Sequence, residues 1–366
     1  MKKPHFLQSP AWARFQRALG NEVINKQSNG SLAWAYLAIV QKGRFSRRLF
    51  CPYGPTLIAK DSADAKRQLC HALKDIKAEA AKLRLDFVRI EPMIVVPQSK
   101  LDSGEVLLQP PLDSGKVLLQ PKLDSGEVLL QPPLDSGEVL LSGTDLKELG
   151  LRRAAHSVEP EHTVINDVTS LQAIDSVLDK KKRYAIRKLA NDGVSYKVSY
   201  DPNQIEHFLS MLHEVAERTG IRPLGDRHFR VMAETLFGNK DAGLYFAMLN
   251  EIPIASAIFF NDGETMSYAH GAASEKYKEL GASFGMLHSL MNYACELGCS
   301  NFDFFGVAPE GAAKSHPWAG FTAFKMKFGG KRVAHLGTWE LPVNKLRYAA
   351  IDTIVRLKER KHERYE

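Results

Sequence analysis

The chain has 366 residues, a length that suits two domains of about 150 to 180 residues better than one. Hydrophobic residues make up 44% and charged residues 25%, and no apolar run is long enough for a membrane-spanning helix, which needs about 18 residues. The formal charge of +7 favours anionic partners such as phosphates, nucleotides or RNA, although a generally basic proteome would account for it equally well.

The N-terminal segment begins with two lysines, as a signal peptide would. Its apolar run is interrupted by Pro4, Gln8, Ser9 and Arg14, so we expect a cytoplasmic protein. The cysteines show no CxxC spacing and no histidine partner pattern. We therefore expect free thiols, with Cys295 and Cys299 together on one helix, rather than a disulfide or a zinc site.

The first ninety residues alternate between helical and strand patterns. Ser9 begins a helix as its N-cap, with Pro10 at the first position and Gly20 after the end. A second helix runs from Asp61 to Leu83, where apolar residues recur every three or four positions. Strands are predicted at 21–26, 32–42, 47–51 and in the segment FVRIEP at 87–92.

An 11-residue unit then repeats. The copies are LDSGEVLLQPP at 101–111, LDSGKVLLQPK at 112–122, LDSGEVLLQPP at 123–133 and the partial LDSGEVLLSG that ends at 143. This period can build a right-handed coiled coil, but glycine in every copy and Gln-Pro in the first three would break a helix. A short β-solenoid would bury little in so few units. We predict a disordered, low-complexity insertion at 101–143 that carries no chemistry.

The second half repeats the order of the first. Its predicted elements are strand 163–168, helices 169–179 and 180–191, strand 194–200, helices 203–219 and 226–237, strands 243–249, 252–261 and 264–270, helix 283–297, strand 301–306, a loop containing FTAFKMKFGG, strand 333–340 and helix 344–361. Helices before an antiparallel meander, then a helix and a strand, are typical of α+β acyltransferases. We therefore predict two similar domains, residues 1–162 with the C-terminal helix 341–366, and residues 163–340.

One segment approaches the pyrophosphate loop of coenzyme-A acetyltransferases, Arg/Gln-x-x-Gly-x-Gly/Ala before a helix whose free N–H groups bind anions. The chain reads KELGAS at 278–283, with Gly281 in place but Ser283 at the last small position. A match this short is weak. A coenzyme-A-dependent N-acyltransferase therefore stays an alternative.

Nine segments taken together resemble the Fem-type (FemABX) peptidyltransferases. In chain order they are FLQSPAWARFQ, YGP at 53–55, VRIEP at 88–92, VEPEHTVINDV at 158–168, KKKRYAIRKLANDGV at 180–194, AERTG at 216–220, YAHGAAS at 268–274, CSNFDFFGV at 299–307 and FKMKFGG at 324–330. The resemblance covers nearly the whole chain outside 101–143. It implies an α+β fold of two tandem acyl-CoA N-acyltransferase (GNAT)-like domains, with the last helix packed on the first domain.

The same resemblance implies an aminoacyltransferase of peptidoglycan biosynthesis. Such an enzyme moves an amino acid from aminoacyl-tRNA to the stem-peptide amino group of a precursor, lipid II or UDP-MurNAc-pentapeptide, and forms an interpeptide bridge. The aminoacyl-tRNA is a co-substrate, and no cofactor or metal is expected. The absence of a Ser-His-Asp order and of metal-ligand spacing fits, because an aminoacyl ester is already activated.

The resemblance assigns the catalytic roles to two residues. Lys325, after Phe324, would neutralise a phosphate or a developing oxyanion, against the alternative of a solvated surface lysine. Glu91 falls where the family often has aspartate near the acceptor amine. A carboxylate there could hold an ammonium group or take its proton, and a structural ion pair with Arg89 is the alternative.

Other residues are expected to bind the substrate. Arg14 falls where the family tends to place a lysine on the precursor's diphosphate, although it could be an ordinary exposed arginine. The family's arginine and tyrosine after AERTG are replaced here by Leu224 and His228. The neighbouring Arg222 and Arg227 are therefore expected to substitute for them, beside His228.

Two neighbouring strands carry further candidates. Tyr268 and His270 are predicted on one face of a strand, where either could hydrogen-bond the substrate unless it packs in the core. Asp303 alternates out from the apolar face of its strand, where it would line the cleft or cap a loop.

A basic cluster opens the helix predicted at 180–191. Lys182, Arg183 and Arg187 would contact tRNA phosphates, and a solvated helix start explains them equally well. A basic face could also make a peripheral contact with the inner membrane leaflet. Because some polar positions expected from the family are altered, a non-catalytic RNA-binding protein on the same fold is the third hypothesis.

Overall fold

The chain forms two compact units. The computed structural model describes residues 4–30, 32–43, 45–59, 61–96 and 141–362. Of these, the first unit contains the residues up to 96, residues 141–161 and everything from 334 onward, and the second unit contains residues 162–333. The chain therefore returns to the first unit at Ala334, earlier than the predicted 341.

The first unit is built on a mixed sheet. Numbered along the chain, the strands of the first unit are β1 Val23–Ser28, β2 Trp34–Lys42, β3 Arg47–Cys51, β4 Thr56–Leu57, β5 Phe87–Ile90, β6 Val95–Val96, β7 Arg152–Arg153 and β15 Trp339–Pro342. Of these, β6 lies outside the mixed sheet and pairs with Ala334 and His335. The sheet order is β1-β2-β3-β5-β15-β7, with β4 beside β2. Its pairs are antiparallel except for β3 with β5, which are parallel.

The helices of this unit follow the sequence signals. They are α1 Pro10–Ala18, α2 Ser62–Lys82, α3 Gly143–Glu148 and α10 Lys345–His362. The Ser9 hydroxyl accepts the N–H of Trp12 and caps α1, as predicted. On α2, the predicted apolar positions Leu69 and Ile76 are fully buried against the sheet.

The last helix, α10, begins against the first unit. The Tyr348 hydroxyl donates to Glu340 Oε2 at 2.8 Å, and its ring packs edge-on against Phe87 with the centroids 5.5 Å apart. In the part of the chain that the structure describes, neither α10 nor any other helix is long and apolar enough to cross a membrane.

The second unit contains a longer, mainly antiparallel sheet. Its strands are β8 His162–Asp167, β9 Val194–Ser199, β10 Ala242–Leu249, β11 Ile252–Asn261, β12 Thr265–Ala273, β13 Asn301–Gly306 and β14 Lys331–His335, the last two residues of which belong to the first unit. The order is β14-β8-β13-β12-β11-β10-β9, and β12 with β13 is a parallel pair. Its helices are α4 Leu171–Ser176, α5 Lys180–Asn191, α6 Ile205–Thr219, α7 Asp226–Leu236, α8 Ala282–Glu296 and α9 Ala319–Met326.

Each unit therefore contains the same central feature. A strand, a helix and a second strand parallel to the first appear as β3-α2-β5 in the first unit and as β12-α8-β13 in the second. In both units, antiparallel strands flank the parallel pair. The prediction of an α+β fold is confirmed.

Two predictions near the end of the second half are wrong. The segment FTAFKMKFGG is not a loop, because Phe321, Phe324 and Phe328 recur at helical spacing and are buried, and residues 319–326 form α9. The single strand predicted at 333–340 is two strands, β14 and β15. Gly337 separates them with a φ of 69°, a left-handed conformation that favours glycine.

The predicted insertion at 101–143 lies outside the described residues up to position 140. Its last residues are described, and there the prediction is wrong. Leu141 is buried, and Ser142 and Asp145 cap α3 reciprocally, each side chain accepting the backbone N–H of the other. The fourth copy has Ser-Gly where the earlier copies have Gln-Pro, and Ser142 can begin a helix.

All four cysteines are free, as expected from their spacing. Cys51 and Cys299 are buried, and Cys70 and Cys295 are half-buried. Cys299 does not share a helix with Cys295, because α8 ends at Glu296, so that detail of the prediction is wrong.

Gly285 on α8 gives a test of the packing in the second unit. A Cβ atom there would lie 2.0 Å from the Tyr196 hydroxyl oxygen and 2.7 Å from Leu189 Cδ1. We expect Gly285→Ala to lower the free energy of unfolding by about 1–3 kcal/mol in a urea titration, although alanine favours helices. Tyr196→Phe removes the hydroxyl and should restore part of the loss.

Gly238→Ala is the matched control, because nothing lies within 4 Å of a Cβ atom at that position. An unchanged stability for Gly285→Ala would contradict the close packing of α8 on β9.

Candidate functional site

Lys325 is buried in the second unit, near the end of α9, and only 7% of its surface is exposed. Its Nζ donates to the backbone oxygen of Gly306 at 2.8 Å and lies 5.1 and 5.7 Å from the ring centroids of Phe321 and Tyr268. Burial lowers the pKa of Lys325 to about 7, although the Asp303 carboxylate opposes this shift. The alternative of a solvated surface lysine is therefore wrong.

Strand β13 is distorted beside this lysine. Its pairing with β12 ends at Asp303, opposite Ser267, and its pairing with β8 is irregular between Asp303 and Gly306. Within that interval Phe305 has a φ of 59°, which residues other than glycine rarely adopt. The Gly306 carbonyl lies beyond the last β12 pair and accepts a hydrogen bond from Lys325.

Asp303 holds the distorted segment in place. Its Oδ1 accepts the N–H of Phe305 at 2.7 Å and the hydroxyl of Thr163 on β8. Burial raises the pKa of Asp303, and its hydrogen bonds and the nearby Lys325 oppose the rise. These contacts are those of a loop cap, one of the two roles anticipated. Sequence reasoning missed Thr163, although it lies in the motif VEPEHTVINDV.

Tyr268 and His270 do not share a face of β12, so that prediction is wrong. The register with β11 skips Ala269, and this bulge resets the alternation of side chains. Tyr268 packs edge-on against Phe304 in the core beneath α8. His270 packs against Phe229 of α7, and burial lowers its pKa to about 3.

The predicted diphosphate contacts lie elsewhere in the second unit. Arg222, between α6 and α7, and Arg227, on α7, are exposed. His228 is half-buried, with its ring 5.5 Å from that of Phe229. Because α7 packs on the His270 face of the sheet, Arg227 and His228 are not grouped with Lys325.

Phe324 also differs from its expected place. It is buried and packs against Phe328 in the core, with ring centroids 5.7 Å apart. Phe321, four residues before Lys325 and therefore on the same helix face, covers the amine. The prediction of a loop missed the role of Phe321, which its helical spacing from Lys325 would have indicated.

Glu91 is buried in the first unit, directly after β5, with 3% of its surface exposed. Its Oε1 accepts the N–H groups of Val158 and Glu159, both at 3.1 Å, and the Thr338 hydroxyl at 2.6 Å. Its Oε2 is buried and has no hydrogen-bond partner among the described residues. Burial raises the pKa of Glu91 to about 7.

The expected alternative for Glu91, an ion pair with Arg89, is not formed. Arg89 instead pairs with Glu340 on β15, with its Nε 2.9 Å from Oε1. Glu91 borders a small pocket in the first unit, whose other lining residues are Tyr53, Pro92, Glu159, Pro160, Glu161, His335 and Gly337. A carboxylate oxygen without a partner, among further carboxylates, suits an ammonium group.

The remaining predicted residues lie on helices. Arg14 is on the exposed face of α1 in the first unit. On α5, Lys182 is half-buried, with its Nζ 3.4 Å from Asp179, whereas Arg183 and Arg187 are exposed.

Comparisons with known proteins agree with this architecture. Residues 248–356 match the model of the FemAB family, and this segment contains Tyr268, Asp303 and Lys325. Aminoacyltransferase FemA of Staphylococcus aureus is 27% identical over 111 residues, which are 30% of this chain and 26% of FemA. The aligned stretch thus spans about a quarter of that relative's length.

Solved structures give the fold. The crystal structure of FemX matches with a TM-score of 0.73 at 16% identity, over 94% of each chain. The C-terminal domain of a putative lysylphosphatidylglycerol synthetase from Agrobacterium fabrum matches with a TM-score of 0.54 at 13% identity, over 96% of this chain and 94% of that one. The predicted fold class is therefore shared with FemX.

The buried Glu91 should make stability depend on pH. Its folded-state pKa of about 7 is above the ordinary 4.5, so wild-type stability falls as the pH rises through this window. Glu91→Gln keeps an acceptor for the three donors and cannot ionise. We expect the stability of the variant relative to wild type, expressed as the difference between their free energies of unfolding, to increase by about 3 kcal/mol from pH 4.5 to pH 8.

Urea denaturation at several pH values measures this difference. Glu234→Gln, on the exposed side of α7, is the control for the removal of one carboxylate. A pH response of Glu91→Gln no larger than that of this control would show that the Glu91 carboxyl does not titrate between pH 4.5 and pH 8.

Proposed function

The chain belongs to the Fem-type (FemABX) family, and we propose from this that it is an aminoacyltransferase acting on a peptidoglycan precursor. It would transfer an amino acid from aminoacyl-tRNA to the stem-peptide amino group of lipid II or UDP-MurNAc-pentapeptide. The observation that carries the proposal is Lys325, a buried amine with a lowered pKa inside the segment that matches the family. No cofactor enters the reaction, because aminoacyl-tRNA supplies an activated ester.

The reaction forms an amide and breaks an ester. The acceptor ammonium first loses a proton, and the free amine then attacks the ester carbonyl carbon. The new C–N bond forms as the carbonyl electrons move to oxygen, and collapse of this tetrahedral intermediate breaks the C–O bond to the ribose. The ribose hydroxyl leaves with a proton. Such a reaction requires positioned reactants and stabilisation of the oxyanion.

Lys325 can supply the positive charge. A lysine with a pKa of about 7 takes up a proton readily when an anion binds beside it, because the anion raises that pKa. Its surroundings are two aromatic rings and a carbonyl, so little water weakens the interaction. It would therefore neutralise a diphosphate of the acceptor or the oxyanion of the intermediate.

Glu91 is a buried acid, whereas Lys325 is a buried base, and Glu91 suits the acceptor amine. Its second carboxylate oxygen is buried without a hydrogen-bond partner among the described residues, a partner that an ammonium group would supply. A pKa of about 7 lets the carboxylate accept a proton near neutral pH. Exposed arginines in each unit, among them Arg14, Arg222 and Arg227, are candidates for the acceptor's phosphates. With a lipid-linked acceptor, exposed cations would also meet an anionic membrane surface.

The central prediction is loss of transfer in Lys325→Met. Purified protein is incubated with radiolabelled aminoacyl-tRNAs and with nucleotide- or lipid-linked pentapeptide, and label in the peptide is counted. We expect transfer that ribonuclease abolishes, and a rate about 10²–10³-fold lower in the variant, the usual effect of removing an oxyanion-stabilising group. The variant should stay folded, because methionine fills the space without the desolvation cost of an amine.

Lys327→Met, two residues away, is the matched control and should retain full activity. Acyl transfer from acetyl-coenzyme A instead of from aminoacyl-tRNA would favour the coenzyme-A alternative. Binding of tRNA without transfer by folded protein would favour the non-catalytic RNA-binding alternative, and either result would overturn the proposal.

A further inference from the structure

Tyr184 is an unusually exposed aromatic residue in the middle of α5. Its surface is 62% exposed. Its ring makes no aromatic or cation–π contact within the ranges that the structure describes, although cations stack on other tyrosines, as Lys240 does on Tyr200. Neither burial in the core nor a ring contact therefore explains an aromatic residue at this position.

The cations of α5 surround this ring. Residues three and four positions away are neighbours on a helix surface, and for Tyr184 all four such residues are cationic: Lys180, Lys181, Arg187 and Lys188. All four are exposed, and α5 itself contains no acidic residue. One of the four pairs with an acid beyond the helix end, because Lys188 Nζ lies 2.5 Å from Asp192. We call these five residues the α5 platform.

The opposite side of α5 faces the protein. Leu189 is buried, and Ile186 and Lys182 are half-buried on that side. A helix that lies in a membrane surface needs an apolar face free to enter the lipid, and here that face is occupied by the unit's own core. The platform therefore offers charge and one flat ring, without an apolar stripe.

We propose that the α5 platform binds single-stranded RNA, with one unpaired base stacked on Tyr184 and the flanking phosphates on Lys180, Lys181, Arg187 and Lys188. This proposal rests on the proposed function, which supplies the RNA: the unpaired end of the tRNA. Lys182, one of the predicted tRNA contacts, is outside it, since it faces inward and pairs with Asp179.

The combination of cations and an aromatic ring distinguishes an unpaired strand from a duplex. Phosphates of both would be attracted by the cations, but only an unstacked base offers its face to an aromatic ring. A cationic helix for duplex RNA would gain nothing from a central exposed tyrosine. The ring thus predicts a preference for unpaired nucleotides, and the cations predict a strong dependence on salt.

The test compares two fluorescent RNA hairpins with the same stem, one blunt and one with an unpaired four-nucleotide 3′ tail. Binding of the full-length protein is measured by anisotropy over a series of salt concentrations. We expect tighter binding of the tailed hairpin, and Tyr184→Ala should weaken it about 5- to 100-fold while changing the blunt hairpin less than twofold. The double variant Lys180→Gln, Arg187→Gln should lower the salt slope by about 1.4–1.8.

Lys74→Gln with Lys147→Gln, two exposed lysines of the first unit, is the charge-matched control and should leave the tail preference and the salt slope unchanged. Equal weakening of both hairpins by Tyr184→Ala, or no preference for the tail, would overturn the proposal. So would binding to phosphatidylglycerol vesicles that depends on the same residues without any tail preference.

The two proposals can fail separately. The hairpins carry no aminoacyl group, so binding is measured without acyl transfer. Tail-dependent binding by a protein that transfers nothing would contradict the proposed function alone. Normal transfer and normal tail binding by Tyr184→Ala would contradict the platform alone.

Discussion

The candidate site in the second unit is built around one contact, the hydrogen bond from the Lys325 amine to the Gly306 carbonyl. That carbonyl is available because β13 stops pairing with β12 at Asp303 and passes through a left-handed residue, Phe305. Asp303 and Thr163 hold this conformation. A buried amine with a pKa of about 7 is costly to fold, so an arrangement that keeps it is better explained by chemistry than by stability.

In each unit, burial brings the pKa of one candidate site residue to about 7, downward in one unit and upward in the other. The pKa of Lys325 falls to about 7 and that of Glu91 rises to about 7. An anion beside the lysine would raise its pKa, and a cation beside the carboxylate would lower its pKa. Both groups can therefore exchange a proton on binding near physiological pH.

The local part of this structure could be predicted from the sequence, and the non-local part could not. Helices α1 and α2 follow from a cap, a proline and a regular apolar spacing, all contained in one segment. No residue pattern in its own segment indicates the bulge at Ala269. Regular alternation of side chains along β12 therefore predicted the wrong face for His270. The partner of Arg89 is Glu340, 251 residues away, which no reading of VRIEP could have found. Phe321 could have been predicted, because it stands at helical spacing from Lys325, but the segment was predicted to be a loop.

The most direct test of the role of Lys325 is the titration of its own amine. In protein labelled with ¹⁵N-lysine, the signal absent from Lys325→Met identifies the amine, and its shift is followed against pH with and without UDP-MurNAc-pentapeptide. We predict a pKa of about 7 for Lys325 in the protein by itself and a clear rise in this pKa when the diphosphate-bearing acceptor binds. A pKa near the ordinary 10.5, or a value near 7 that the acceptor leaves unchanged, would contradict this prediction.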